Sequence, residues 1–441
     1  MILPSSLFTF YALFVLVLVQ RSTAMDRWFG VSKLLTSEKG FVNSGWGSED
    51  MYTETTTSSS SQLVVIFGSG SVQKGISSSF EMKLYQNSGE AGSGDWNINY
   101  LTFSSSDEIQ PFNFFHFQNP ISTGMTNTYN HKCKGSGYLG PDNSYRTLDS
   151  VVFPDEYTSD WVGYGGDDIS VTSSIVVPSM SVSVQVASTD SILVLFGCSF
   201  LSTSGNSEGK FFLRRDGSVV PSSGANILQK ISGTQGNKVR QVALAYIDRP
   251  YASGTFTYTA SADKVDNSQG GFEISGPKRK VLGAIVIPTD LIKVNNMEST
   301  STVSSTSWSI VGSVTDVTTY NTEDAILLIS NINFYPIVSS SVGIFSLFFG
   351  ETNLGHEYFG LQNVRTDEAE EMCMASMTFL HKPGTIGTYT YSIRARAVET
   401  DKSFKIGHGG QLTMLAAITQ PQYPSASPTP APTRSPSIKP T

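Results

Sequence analysis

Two hydrophobic patterns alternate along this chain. One is the unbroken apolar run: LVVIFG at 63–68, ILVLFG at 192–197 and ILLIS at 326–330. Each reads as a buried strand. The other is strict alternation, as in VSVQV at 182–186, where one face is apolar and the other is Ser and Gln. That period of two predicts a half-buried strand. Long helical periodicity is absent. Turn signals such as Asp216-Gly217, Pro383-Gly384 and the stretch from Asn87 to Gly89 fall between the runs of Val, Ile, Phe, Tyr and Thr. Together these signals predict an all-β chain of antiparallel β-sandwiches.

The runs recur in a fixed order. A proline followed four positions on by glycine occurs at Pro120/Gly124, Pro250/Gly254 and Pro383/Gly387, the prolines being 130 and 133 positions apart. Closing strands follow at 148–154 (LDSVVFP), 282–288 (LGAIVIP) and 415–421 (LAAITQP). Between these landmarks come a second strand at 80–85, 211–215 and 345–349 and a strand leading to each proline at 112–117, 242–247 and 374–380. Three landmarks in one order define a tandem array. It divides into repeats at 25–154, 155–288 and 289–421, with linkers read at 155–171 and 289–307, the latter polar and extended. A unit of about 130 residues buries roughly two-thirds of its unfolded surface and can fold alone. Modules in series are therefore the default arrangement, and an intramolecular pseudo-trimer is the alternative.

The strand after the proline is the most patterned: TFTYT at 255–259 and TYTYS at 388–392, with a looser MTNTY at 125–129. In the third copy, Gly387, Tyr389 and Tyr391 make a Gly-x-Tyr-x-Tyr strand that resembles the Gly-x-Tyr-x-Phe strand of C1q/TNF-like jelly rolls. The order of elements from 324 to 418 resembles the β-sandwich modules of phage tail and virion surface proteins. These resemblances imply jelly-roll-like sandwiches and a role in surface recognition or assembly. The chain departs from the C1q pattern in having no collagen-like Gly-x-y run.

Composition adds the compartment. An apolar run at 7–19 followed by Ser22, Thr23 and Ala24 reads as a signal peptide over 1–24, too short to span a bilayer comfortably. The Pro/Ser/Thr-rich tail at 422–441 is extended in character and similar to the extensions of algal wall and adhesion proteins. A net charge of -8 speaks against a nucleic-acid surface. No membrane span is expected after signal cleavage. No Asn-x-Ser/Thr sequon occurs, so the folded part is expected to carry no N-glycan. Cys133, Cys198 and Cys373 fall at unmatched places in the three copies, which argues for buried thiols over a repeated disulfide framework and leaves one bridge open.

Candidate chemistry is sparse. None of the His, Cys or acidic residues follows the repeat period on this reading. The position two before each landmark proline is Gln118, Asp248 and His381, as at a drifting, exposed strand end. No His-x-x-x-His, Cys-x-x-Cys or Gly-x-Ser-x-Gly spacing exists, so no catalytic residue, metal centre or cofactor is assigned. The acids Asp167-Asp168, Asp367-Glu368 and Glu370-Glu371 read as solvated loop charges. The best ligand-binding candidates are Trp161 and Tyr164 as a stacking platform, with Asp160, Asp167 and Asp168 accepting sugar hydroxyls or holding Ca²⁺. Packing of Trp161 and Tyr164 between modules is the competing reading. Arg214 and Arg215 would grip an anionic sugar or simply charge a sheet face beside a hairpin. The expected protein is a secreted or wall-associated, non-enzymatic adhesion or structural assembly protein contacting extracellular polysaccharide or matrix. A soluble lectin-like or C1q-like defence protein is the alternative, and an extracellular hydrolase the third.

Overall fold

The computed structural model describes residues 29–421 apart from 36–38, 58–60, 75–78, 87–88, 91–98, 104–107, 120–125, 142–144, 165–166, 204–205, 222–226, 232–237, 266–270, 275–279, 298 and 409–410. The signal-peptide segment 1–24 and the tail 422–441 lie outside the described residues.

In the first copy the strands are β1 (Phe29–Leu35), β2 (Lys39–Thr56), β3 (Leu63–Lys74), β4 (Ser79–Gln86), β5 (Asn99–Thr102), β6 (Ile109–Gln118), β7 (Thr126–Leu139) and β8 (Arg146–Phe153). They pair antiparallel in two runs, β1-β8-β3-β6 and β2-β7-β4-β5, which join where the end of β3 also pairs β7. The second copy has β9 (Ser159–Tyr164), β10 (Ile175–Val186), β11 (Asp190–Ser202), β12 (Ser207–Arg215), β13 (Ile227–Ile231), β14 (Val239–Asp248), β15 (Gly254–Lys264) and β16 (Lys280–Pro288). Its sheets are β9-β16-β11-β14 and β10-β15-β12-β13. The third has β17 (Ile292–Met297), β18 (Ser309–Thr319), β19 (Ala325–Asn331), β20 (Val342–Phe349), β21 (Gln362–Arg365), β22 (Met377–His381), β23 (Gly387–Ala397) and β24 (Thr413–Gln420). Its sheets, β17-β24-β19-β22 and β18-β23-β20-β21, repeat the order again. This is the jelly-roll order, in which each sheet takes the first, last, third and sixth strands, or the second, seventh, fourth and fifth.

The two segments read as linkers carry strands. Ser159–Tyr164 and Ile292–Met297 are the opening strands of the second and third sandwiches, each paired along the closing strand of its own copy. Their polar composition hid them, because an edge strand with one open face needs few apolar residues. The Asp216-Gly217 signal is met in full: both residues have positive φ, 49° and 84°, and Arg215 pairs Ser218 across the tight turn.

The two hydrophobic patterns sort by sheet. In β10 and β18 exposed and buried positions interleave, whereas β3, β11, β16, β19 and β24 are buried along almost their whole length. The apolar runs are covered on both faces. Val64 and Ile66 of β3 point into the first sandwich, while Leu63, Val65 and Phe67 join a separate cluster shared with the other copies. Likewise Ile326 and Leu328 line the third sandwich, and Ala325, Leu327 and Ile329 face the shared cluster. Each such side chain contributes about 1.5–3 kcal/mol of apolar burial. The three inner sheets thus pack on one another, and the default of modules in series is overturned.

The packing is cyclic. Phe117 of β6 covers Gly283 of β16; Asn331 at the end of β19 takes the backbone N–H of Ala245 in β14 at 3.1 Å and donates to the same residue's carbonyl; and Thr147 before β8's apolar stretch donates to the carbonyl of Thr378 in β22 at 3.0 Å. So the sixth strand of each copy lies on the inner sheet of the next. Closure makes a size prediction. Scattering from residues 25–421 is expected to give a radius of gyration of about 21 Å. A value above roughly 30 Å would mean that the copies stand apart in solution.

Candidate functional site

The centre of the ring holds charge. Glu108 of the first copy, Lys238 of the second and Glu371 of the third each stand twelve positions before the landmark proline, so they are equivalent residues. All three are buried, as is Arg240 two positions beyond Lys238. The Arg240 guanidinium donates to Glu108 at 2.6 Å and to Glu371, and Lys238 reaches Glu371 at 3.2 Å. Burial alone pulls the Arg240 guanidinium down, but Glu108 and then Glu371 outweigh it and hold it above its ordinary value. Two carboxylates and two cations balance. Three glutamates at this place would repel one another, and Lys238 removes that conflict. Two earlier expectations are corrected here: acidic residues do follow the period, and Glu371 is a buried partner at the junction, with no solvated-loop role.

A second polar contact closes the far end of each sandwich, where the sixth strand meets the outer sheet. In the second copy Asp248 accepts from Arg215 at 2.8 Å and from the Tyr258 hydroxyl at 2.6 Å. In the third, His381 Nδ1 and the Tyr391 hydroxyl lie 2.9 Å apart, with the Phe349 ring tilted against the imidazole at 4.8 Å. In the first, Gln118 donates to Gln86, which donates to Asn127 at 2.8 Å. The Gln/Asp/His position is therefore a sheet-to-sheet clasp with a different partner each time, and Asp248 is buried there. Burial lowers the His381 pKa to about 4. Between the ordinary histidine value near 6.5 and about 4, the unfolded chain binds a proton that the folded chain refuses, so stability falls as pH drops through that window. Denaturant midpoints measured from pH 7 to pH 4.5 should show this slope, and His381→Gln should flatten it.

The candidate ligand residues do not converge. Trp161 on β9 stacks on Phe117 of the first copy, ring centroids 6.1 Å apart and 13° from parallel, and is half-buried in the shared core. The packing reading describes its position. Tyr164 ends the same strand, with its backbone opposite Lys280. Asp167 and Asp168 are exposed and sit close enough to Lys280 for their charge to oppose the downward pull of burial on that ammonium. Asp160 accepts the backbone N–H of Ser183 at 2.8 Å. Arg214 and Arg215 lie on the outer sheet: Arg214 donates to the Gly217 carbonyl at 2.9 Å and to Ser261 at 3.0 Å, and Arg215 is held by Asp248. The three cysteines are free and buried. Burial raises the Cys198 and Cys373 thiols above the usual range.

The concave feature that sequence reading missed lies where the second copy hands over to the third. It is an open cleft of about 700 Å³ whose charged lining is Arg249, Asp290, Lys293 and Asp316. Ile292, Val294 and Val314 form an apolar floor. Asn295 ties its two walls together through a 2.9 Å bond to the Ser313 carbonyl. Its signal in the sequence was an inserted residue. In the second copy Val182 and Val184 oppose Tyr258 and Phe256 with one residue between them, whereas in the third Val314 and Val317 oppose the equivalent Tyr391 and Tyr389 with two. The extra residue makes a bulge, and Asp316 within it has φ 58°.

No protein-family model and no curated protein matches the chain. Among solved structures it is similar to a protein described with the triple jelly-roll fold and turret assembly of an archaeal virus, at 10% identity and TM-score 0.17 over 90% of this chain and 91% of that one. It is also similar to dimeric latent PorU from Porphyromonas gingivalis, at 8% identity and TM-score 0.21 over 92% of this chain and 35% of that one. A third likeness is to the VP2 subviral particle of infectious bursal disease virus, at 8% identity and TM-score 0.19 over 90% of this chain and 82% of that one. Likenesses this loose carry no weight beside the strand order itself. Jelly-roll pairing, three times over, defines the class.

Proposed function

We propose that this is a secreted, non-enzymatic adhesion or assembly protein in which one chain forms the body that three jelly-roll subunits would otherwise build. The observation that supports it most is the buried Glu108–Arg240–Glu371 contact, which joins all three copies at one point. Inner sheets so engaged leave the outer sheets, the connecting turns and the tail as the surfaces for extracellular polysaccharide or wall polymers. A soluble lectin-like recognition protein is the second reading. The two separate on the tail. Full-length protein and protein ending at residue 421 would be compared for retention on purified wall polysaccharide and for binding on a glycan array. Adhesion predicts that tail removal abolishes retention. The lectin reading predicts a saturable glycan profile that survives it. Absence of binding by both forms would overturn both.

A further inference from the structure

The cleft between the second and third copies has the composition of a binding site. Arg249 lines the cleft and donates one of its five N–H groups to the Ile292 carbonyl at 3.3 Å. Lys293 is half-buried, and its ammonium makes no hydrogen bond or ion pair among the described residues. A guanidinium and an ammonium that both line the cleft are suited to a carboxylate or sulfate oxygen. Opposite charge is also present, in Asp290 and in Asp316, whose carboxylate takes only the neighbouring Thr315 hydroxyl at 3.0 Å. Carboxylates with spare lone pairs accept ligand hydroxyls. Its volume lies in the usual range for small-ligand pockets.

The second copy is built differently at the equivalent place. Ser159 and Ile292 are the equivalent first residues paired with Ile285 and Ile418, so Asp160 in the second copy occupies the place of Lys293. There Asp160 bridges to Ser183 of the neighbouring strand. In the third copy a cation stands at that place, and the strand opposite carries the bulge. One contact that joins the two strands has been replaced by an unpartnered charge beside an extra residue.

We propose that the cleft binds an anionic sugar unit, a uronate or a sulfate ester, with Arg249 and Lys293 on the anionic group and Asp290 and Asp316 on ring hydroxyls. The proposal rests on the carbohydrate reading above and assigns it a place. Titration calorimetry with the full-length protein would use short oligogalacturonate, oligomannuronate, sialyllactose and a sulfated galacto-oligosaccharide, with a neutral galacto-oligosaccharide as comparison. At least one anionic probe should bind. Lys293→Met and Arg249→Gln should each weaken it roughly ten- to a hundredfold, the loss of one charge-assisted bond. Asp160→Ala, at the equivalent place in the second copy, should leave it unchanged, and circular dichroism would confirm that all variants are folded. Binding of an anionic probe that survives both cation substitutions overturns the site while leaving the carbohydrate reading intact. Equal binding of the neutral sugar does the same for the anionic group. If neither anionic nor neutral glycans bind anywhere on the protein, both fall together.

Discussion

Arg240→Met is expected to destabilise the protein by about 3–5 kcal/mol, because it leaves two carboxylates buried against each other with a single cation. Glu108 and Glu371 are each fully buried, and Lys238 reaches only Glu371. Glu108 would lose its 2.6 Å bond from the guanidinium and keep the 3.2 Å bond from the neutral Gln110 amide. Denaturant unfolding followed by fluorescence would measure the loss, and scattering would show whether the ring opens before the sandwiches melt. The triple change Arg240→Met, Glu108→Gln, Glu371→Gln should recover most of that stability, since a buried ion cluster replaced as a whole often costs little. If Arg240→Met alone is neutral, the cluster is not a buried junction between copies.

Phe117→Ala should cost about 3–5 kcal/mol, the usual range for deleting a buried aromatic ring. Phe117 is not a core residue of its own sandwich. Its ring is held between Trp161 and Gly283 of the second copy, so the lost stability would belong to the contact between copies. Gly283→Ala approaches the same contact from the other side. A Cβ there would fall within the Phe117 ring, an overpacking cost of about 1–3 kcal/mol. Both variants should lower the first unfolding transition and enlarge the scattering envelope. Unchanged transitions in both would place Phe117 in solvent.

Much of the fold was legible in the chain because strand periodicity reports burial directly. The apolar runs at 63–68 and 326–330 marked strands covered on both sides, and VSVQV marked one with an open face. The landmark prolines follow closely on the ends of β14 and β22, as a residue lacking an N–H should. The charged junction was within reach too. Glu108, Lys238 and Glu371 keep the proline spacing, but an acid pair at 370–371 reads as surface when its partners lie in other copies. Trp161 was visible as a choice between binding and packing, and nothing local decides between them. The cleft needed the register of β18 against β23, because one inserted residue shows as a bulge only when the facing strand is known.

Taken alone, the amino-acid order determined the all-β class, the three-fold repetition and the sequence of elements within each repeat, since alternation, turn chemistry and proline position act locally along the backbone. Only the tertiary structure decided that the inner sheets meet one another, that Arg240 lies between Glu108 and Glu371, and that the third copy opens a cleft where the second is bridged. The physical reason is that an apolar pattern tells how many faces of a strand are buried, never what covers them. The state of a buried charge likewise depends on partners more than a hundred residues away.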